Sequence, residues 1–402
     1  MTDRRRGDAS TRRGFVKAAG LGALGAALAG KARADVRPKA ASKEMRLYVG
    51  TYTSGGSVGI YLYRLDLADG SLEQVGTTEG VVNPSYLTLD RGGRLLYAVN
   101  EVEDFGGAAS GAVSAFAVER KTGALRLLNQ RASKGGAPCY VTVAADGRFV
   151  LVANYAGGNV AVLPALRDGS LGEAVDVEQF AGSGPDRERQ EAPHAHSVTL
   201  DGANRFAYAC DLGTDKVMVY GFDRRTGALS RASPPSVSMK PGAGPRHLAF
   251  HPRGRFVYVM NELDSTVTAL ARDPARGTLS ELQTLSALPE GFAGANTGAD
   301  IHLTPDGRFL YTSNRGHDSI AGFAVNARTG ALRALGHTPT EGSTPRNFVI
   351  EPTGRFLLAA NQKSDTVVTF RLDRRTGALR PAGHTAGVPS PVCLKLAAPF
   401  AP

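Results

Sequence analysis

The 402-residue sequence predicts an all-β fold, a β-propeller of seven four-stranded antiparallel blades whose ring is closed by the C-terminal strand joining the N-terminal blade. Three observations lead there. A tetrapeptide ending in Gly-x-Leu recurs seven times, with glycines at Gly70, Gly123, Gly169, Gly227, Gly277, Gly330 and Gly377, spaced by 53, 46, 58, 50, 53 and 47 residues. Each interval holds four short strands and their turns. Before each marker except the first lies a second turn, centred on Gly93, Gly147, Ala203, Gly254, Gly307 and Gly354. Gly or Asn in such turns supplies the positive φ of a tight hairpin. Between turns, apolar and polar residues alternate, as in Leu95-Leu96-Tyr97-Ala98-Val99, and no long stretch has helical period. Units of this kind bury their faces only by stacking, and a closed ring leaves none uncovered.

Taken in order, residues 1–34 have the layout of a cleaved export signal. Thr11-Arg12-Arg13-Gly14-Phe15-Val16-Lys17 is a twin-arginine pattern, followed by a weakly apolar run from Ala18 to Gly30 and by Ala32-Arg33-Ala34, an A-x-A cleavage site. The run has 13 residues, short of the roughly 20 needed to span a bilayer. Passage through the twin-arginine export machinery to the periplasm is therefore expected, with no stable membrane insertion after cleavage. A linker follows at 35–44, then one propeller domain at 45–397 and a tail at 398–402.

The net charge of +10 belongs mostly to the signal. Eight of the 47 Lys and Arg and two of the 37 Asp and Glu lie in residues 1–34, which leaves 39 against 35, a net of +4. No basic cluster interleaved with aromatics remains, so no nucleic-acid partner is expected. Cys139, Cys210 and Cys393 form no C-x-x-C or Cys/His cluster and read as small buried hydrophobes. His194 and His196 are the only close histidine pair, without a third ligand at recognisable spacing, so no metal or other cofactor is expected.

The first repeat enters at Leu47-Tyr48-Val49-Gly50-Thr51 without an inner strand. Ser390-Pro391-Val392-Cys393-Leu394-Lys395-Leu396 matches the start of the other repeats and has no hairpin after it. It should complete the first blade and remove two exposed sheet edges.

Aligning the repeats on their turns compares two places at one face of the ring. At the entrance to the inner strand stand Ser85, Cys139, His196, Arg246, Ala299, Arg346 and Val392, mostly after a proline. At the exit from the next strand, Asn100, Asn154, Asn261, Asn314 and Asn361 recur, with Thr51 and Asp211 in the same place; this position reads as scaffold. The residue after it varies: Tyr52, Glu101, Tyr155, Leu212, Glu262, Arg315 and Gln362. A repeat protein keeps what every blade needs and changes what one place needs. His196, Arg246, Glu262, Arg315, Arg346 and Gln362 are the unusual occupants, on four consecutive blades, and should line one arc of the channel mouth. The plain alternative is a plug of paired charges and water. The two longest connections, Phe180 to Pro193 and Ser286 to Thr297, both precede an inner strand and fall on the same side.

These residues resemble the seven-bladed lactonase propellers of the 6-phosphogluconolactonase type, with the carboxy-muconate cyclases as relatives. The resemblance covers essentially the whole mature chain. It is carried by Gly50-Thr51-Tyr52-Thr53, His196-Ser197, Gly244-Pro245-Arg246-His247 with Asn261-Glu262-Leu263, and Ala299-Asp300-Ile301-His302-Leu303-Thr304-Pro305-Asp306-Gly307. It continues through Asn314-Arg315, Pro345-Arg346-Asn347-Phe348 and Gln362-Lys363-Ser364. The family's site residues match His196, Arg246, Glu262 and Arg315. The resemblance implies metal-independent hydrolysis of a sugar lactone, and a monomer is expected. Glu262 is the expected base, Arg246 and Arg315 bind the oxyanion or an anionic substituent, and His196 is the acid or a second anchor. Arg346, Gln362 and Glu101 are expected to bind substrate. An exported protein would rarely meet a phosphorylated lactone, so the particular lactone stays open. A lactone-forming or lactone-opening lyase or isomerase could use the same groups, and a non-catalytic binding propeller is the third reading.

Overall fold

The computed structural model describes residues 44–399; the predicted export signal and nearly all of the linker lie outside them. Among the described residues the chain forms seven four-stranded sheets, all antiparallel, and one two-residue hairpin pair at Asp104–Phe105 and Ala108–Ala109. No described helix is long and apolar enough to cross a membrane.

The inner strands of blades two to seven are Leu87–Leu89, Pro138–Val143, Ala195–Leu200, Pro245–Phe250, Thr297–Leu303 and Pro345–Ile350. Blade one takes its inner strand, Pro391–Ala397, from the far end of the chain, and it pairs antiparallel with Glu44–Thr51. Leu394 then packs with Leu47, Val49 and Tyr61 of blade one against Phe356, Leu358 and Val367 of blade seven. Closure is thus an apolar junction as well as a row of hydrogen bonds. Each of the other blade junctions is built in the same way, for example Tyr208, Val217 and Val219 against Leu248, Val257 and Val259.

The Gly-x-Leu markers have a second role beyond turning the chain. All seven glycines have φ between 74° and 92°, and in five blades the marker carbonyl accepts a hydrogen bond from the tyrosine of the neighbouring blade. Tyr258 donates to the Gly330 carbonyl at 3.0 Å, and a Cβ at Gly330 would lie 2.4 Å from Phe256. Gly330→Ala therefore meets both backbone strain and an inter-blade clash. A loss of about 2 kcal/mol or more is expected, measured as a lower urea midpoint at unchanged m. In the second turn of blade four the left-handed residue is Asn204 rather than Ala203, since Asn tolerates that conformation and Ala does not. The arginine after this turn lies over the next phenylalanine, as in Arg148 on Phe149 and Arg255 on Phe256.

The recurrent asparagines act as scaffold. Asn100, Asn154, Asn314 and Asn361 each donate from Nδ2 to a backbone carbonyl of the connection leading to their own inner strand, namely Val82, Ser133, Ala287 and Thr340, at 2.7 to 3.0 Å. They tie down the chain just before it enters the channel wall.

Candidate active site

The side chains at the channel mouth are aimed by β-bulges. Opposite the second strand, register skips one residue at Cys139, His196, Arg246, Arg346 and Val392, so each is the extra residue of a bulge. In blade six two residues, Ala299 and Asp300, are skipped. A bulge bends the strand and re-aims the extra side chain.

Glu262 is the hub. Its side chain is 5% exposed; Oε1 accepts from Arg189 Nη2 at 2.6 Å, and Oε2 pairs with Arg246 Nε and Arg315 Nη2, both at 2.9 Å. His196 Nε2 lies 3.8 Å from the same oxygen. Arg246 is held from behind by the Ala299 carbonyl at 2.7 Å, and Arg315 by the Gly298 carbonyl at 2.9 Å. The buried Nε of Arg315 has no hydrogen-bond partner among the described residues.

On the opposite side of the mouth, Glu101 accepts from the Tyr52 hydroxyl at 2.9 Å and from the Ser85 hydroxyl. Arg346 donates to the same tyrosine oxygen at 2.9 Å and lies over its ring. The cavity between has a volume of about 300 Å³ and is lined by Glu101, Cys139, Tyr155, Arg189, His196, Glu262, Thr297, Arg315 and Arg346. Arg246 lines a small adjoining recess instead. Gln362 opens a 3-10 turn, Gln362–Ser364, and is absent from the cavity wall. The structure therefore brings His196, Glu262, Arg315, Arg346 and Glu101 together, places Arg246 beneath them and leaves Gln362 aside.

Burial alone would raise the Glu262 pKa, but Arg315, Arg246 and the Arg189 hydrogen bond together hold it well below the usual carboxylate range. Burial, aided by Arg246, holds His196 well below the usual imidazole range, so its approach to Glu262 is not an ion pair. Burial pulls Arg315 down to about 10, against the opposing pull of Glu262, and it remains charged at neutral pH. Burial pushes the Cys139 thiol up, so this cysteine lines the site as a neutral group.

A slightly larger cavity, about 340 Å³, lies further along the inner strands and includes His247, Asp300, His302 and Lys395. Its charges are already satisfied. Asp300 accepts from His247 Nδ1 and His302 Nε2, both at 2.9 Å, and from Asn347 Nδ2. Lys395 lies 4.3 Å from the Tyr86 ring centre and donates to its hydroxyl. Among the described residues no three His, Cys, Asp or Glu side chains converge as metal ligands would.

Two residues were missed by the repeat comparison. Arg189 lies in the 180–193 connection, one of the two longest, at a position outside the two slots compared around the ring. Tyr155 occupies the variable slot but looked ordinary; its ring stacks on His194 at 4.4 Å and its hydroxyl accepts from Arg189.

The buried groups set a pH dependence of stability. His196 and His247, the latter down to about 3 through burial, stay neutral when folded. Unfolding lets each bind a proton below about pH 6.5, so stability is lost as pH falls from there, by about 1.4 kcal/mol per pH unit for each histidine. Glu262 and Asp300 have depressed folded values, so their contribution is full above the ordinary carboxylate range and is lost as pH falls below it. The urea midpoint should drop between pH 6.5 and 5, and more steeply below 4.5.

A family model described as Lactonase, 7-bladed beta-propeller matches residues 46–396. The chain belongs to this lactonase family. It is 41% identical over 302 residues to a 6-phosphogluconolactonase of Bacillus subtilis, covering 75% of this chain and 84% of that one. A 6-phosphogluconolactonase of Formosa agariphila is 33% identical over 310 residues, covering 76% and 86%. Among solved structures, a periplasmic gluconolactonase of Pseudomonas aeruginosa superposes with a TM-score of 0.83 at 38% identity, covering 89% of this chain and all of that one. The lactonase family is one of carboxylic ester hydrolases, and this chain is an enzyme of that class.

Proposed function

We propose that the mature protein hydrolyses a sugar lactone to its open-chain acid at the channel mouth, with Glu262 as base. The observation that carries this is a buried carboxylate set beside a neutral imidazole, among guanidiniums of which one retains an open donor. Water attacks the lactone carbonyl as Glu262 takes its proton. The oxyanion is received by Arg315, with Arg246 fixing Glu262 from below. As the tetrahedral intermediate collapses, the carbon–oxygen ring bond breaks with its electron pair on the ring oxygen. That oxygen takes the proton from Glu262 through His196, and the product carboxylic acid gives its remaining proton to solvent and leaves as its carboxylate. Arg346 and Glu101 hold the substituents of the sugar on the far wall. No step routes through a metal.

The twin-arginine segment and the likeness to a periplasmic gluconolactonase support a periplasmic location reached through the twin-arginine machinery. The working unit in this proposal is a monomer. The test is a pH-stat assay of the mature protein on D-glucono-1,5-lactone, on its 6-phosphate and on a carboxylated muconolactone. Acid release above the spontaneous rate is expected for at least one sugar lactone. No acceleration of either sugar lactone would overturn the proposal.

A further inference from the structure

The connection before blade four carries a feature that no other blade has. Residues 184–190 form a tight, internally bonded turn: Gly184 N donates to the Gln190 carbonyl at 2.9 Å and Gln190 N to the Asp186 carbonyl at 2.7 Å. Asp186 Oδ1 caps the turn by accepting from Glu188 N and Arg189 N at 3.0 and 3.1 Å. Gln190 is 0% exposed, and its Nε2 donates to the Leu212 carbonyl and to Asp215 Oδ1, both at 2.8 Å. Arg189 therefore stands between a capped turn and a buried anchor, and its backbone has little freedom.

Its side chain differs from the other arginines of the site. Arg246, Arg315 and Arg346 come from ends of ladder strands, and the Arg246 and Arg315 side chains are 3% and 12% exposed, whereas Arg189 is 37% exposed in the cavity wall. Both of its hydrogen bonds, to Glu262 Oε1 and to the Tyr155 hydroxyl, leave from Nη2. It is the ion-pair partner of Oε1, while Oε2 is held by two deeper arginines. Among the described residues lining the cavity and its recess, four guanidiniums face two carboxylates, which leaves an excess of positive charge for an incoming anion.

We infer that Arg189 is a specificity-determining residue that exchanges its partner. An anionic substituent of the substrate, such as a phosphate or carboxylate, takes the Arg189 guanidinium and thereby uncovers Glu262 Oε1 for the attacking water. A guanidinium suits this exchange because its donors fit a phosphate or carboxylate in two-point fashion, whereas Glu262 holds it through Nη2 alone. Recognition of the anion and release of the base become one event, so a lactone that lacks the anion meets a masked carboxylate. The anchored turn returns the arginine to Glu262 after product leaves. This inference rests on the lactonase reading above.

The experiment compares kcat/KM for D-glucono-1,5-lactone and for its 6-phosphate in wild type, Arg189→Ala and Arg189→Lys. The ratio of phosphorylated to neutral substrate should fall by roughly 10- to 100-fold in Arg189→Ala, as expected for loss of a charge-assisted contact. Arg189→Lys, which keeps the charge but not the fork, should give an intermediate ratio and serves if the alanine variant folds poorly. Glu262 is faced by Arg189, Arg246, Arg315 and His196, with Arg346, Tyr155, Cys139 and Glu101 completing the wall. Removing Arg189 takes away one of the groups that lower its pKa. The acid limb of the kcat/KM profile should therefore move to higher pH, a shift that a merely structural loop residue would not cause. A ratio unchanged in both variants, or an unmoved acid limb, overturns the inference while leaving the lactonase reading intact. Wild type that accelerates neither lactone overturns both.

Discussion

Glu262→Gln should lower kcat/KM for lactone hydrolysis by on the order of 10² to 10³, the usual effect of removing a positioned base or a charge that completes an oxyanion site. The argument is geometric. Glu262 is the point at which Arg189, Arg246, Arg315 and His196 converge, so no neighbouring carboxylate can take its place. Glu101, the other carboxylate of the cavity, is engaged by Tyr52 and Ser85 on the opposite wall. The substitution is nearly isosteric, but it leaves buried guanidiniums without their counter-ion. A loss of stability of about 3 kcal/mol should accompany the loss of rate. Measuring both kcat/KM and the urea midpoint separates the two effects. Activity within threefold of wild type would remove Glu262 from the mechanism.

Deleting the chain from Ser390 onward should abolish folding. Pro391–Ala397 is the inner strand of blade one, and without it the Glu44–Thr51 edge loses its partner while the apolar junction with blade seven opens. The deletion removes the buried side chains Val392, Cys393, Leu394 and Ala397, with the buried Pro391 beside them. At roughly 1.5–3 kcal/mol for each of the three larger ones, with less for alanine, the loss is about 5–10 kcal/mol, comparable with the whole stability of an ordinary domain. It also removes Val392 from the ring of bulged residues at the channel mouth. The expected result is insoluble protein or a chain without a cooperative urea transition. A soluble, cooperatively unfolding truncate would show that the ring does not depend on this closure.

The blades and their closure were legible because each depends on local, repeated chemistry. A glycine with positive φ is required at every Gly-x-Leu marker, and the orphaned strand at 391–397 had only one sheet to complete. His196, Arg246, Glu262 and Arg315 were legible for a related reason: they break a repeat whose other members show what the position normally holds. Arg189 was not, because it lies outside the two slots compared around the ring, and its place follows from the buried Gln190 and the Asp186 cap. The bulges were hidden too, since an alternating pattern does not reveal a one-residue skip in pairing. Gln362 shares the slot of Glu262 and Arg315, yet blade seven turns into a 3-10 helix at that residue. Cys139 shows the converse. Cys210 and Cys393 lie in apolar junctions as their composition suggests, whereas Cys139 stands in a bulge and lines the cavity.

The central claim is that water, activated at Glu262, adds across a lactone bond. Turnover of a sugar lactone by the mature protein in ¹⁸O-labelled water tests it most directly, with the product acid read by mass spectrometry. Hydrolysis predicts one labelled oxygen in the carboxylate of each product molecule, formed faster than in buffer alone and lost in Glu262→Gln. An unsaturated ring-opened acid without label, or no enzyme-dependent product at all, would contradict it.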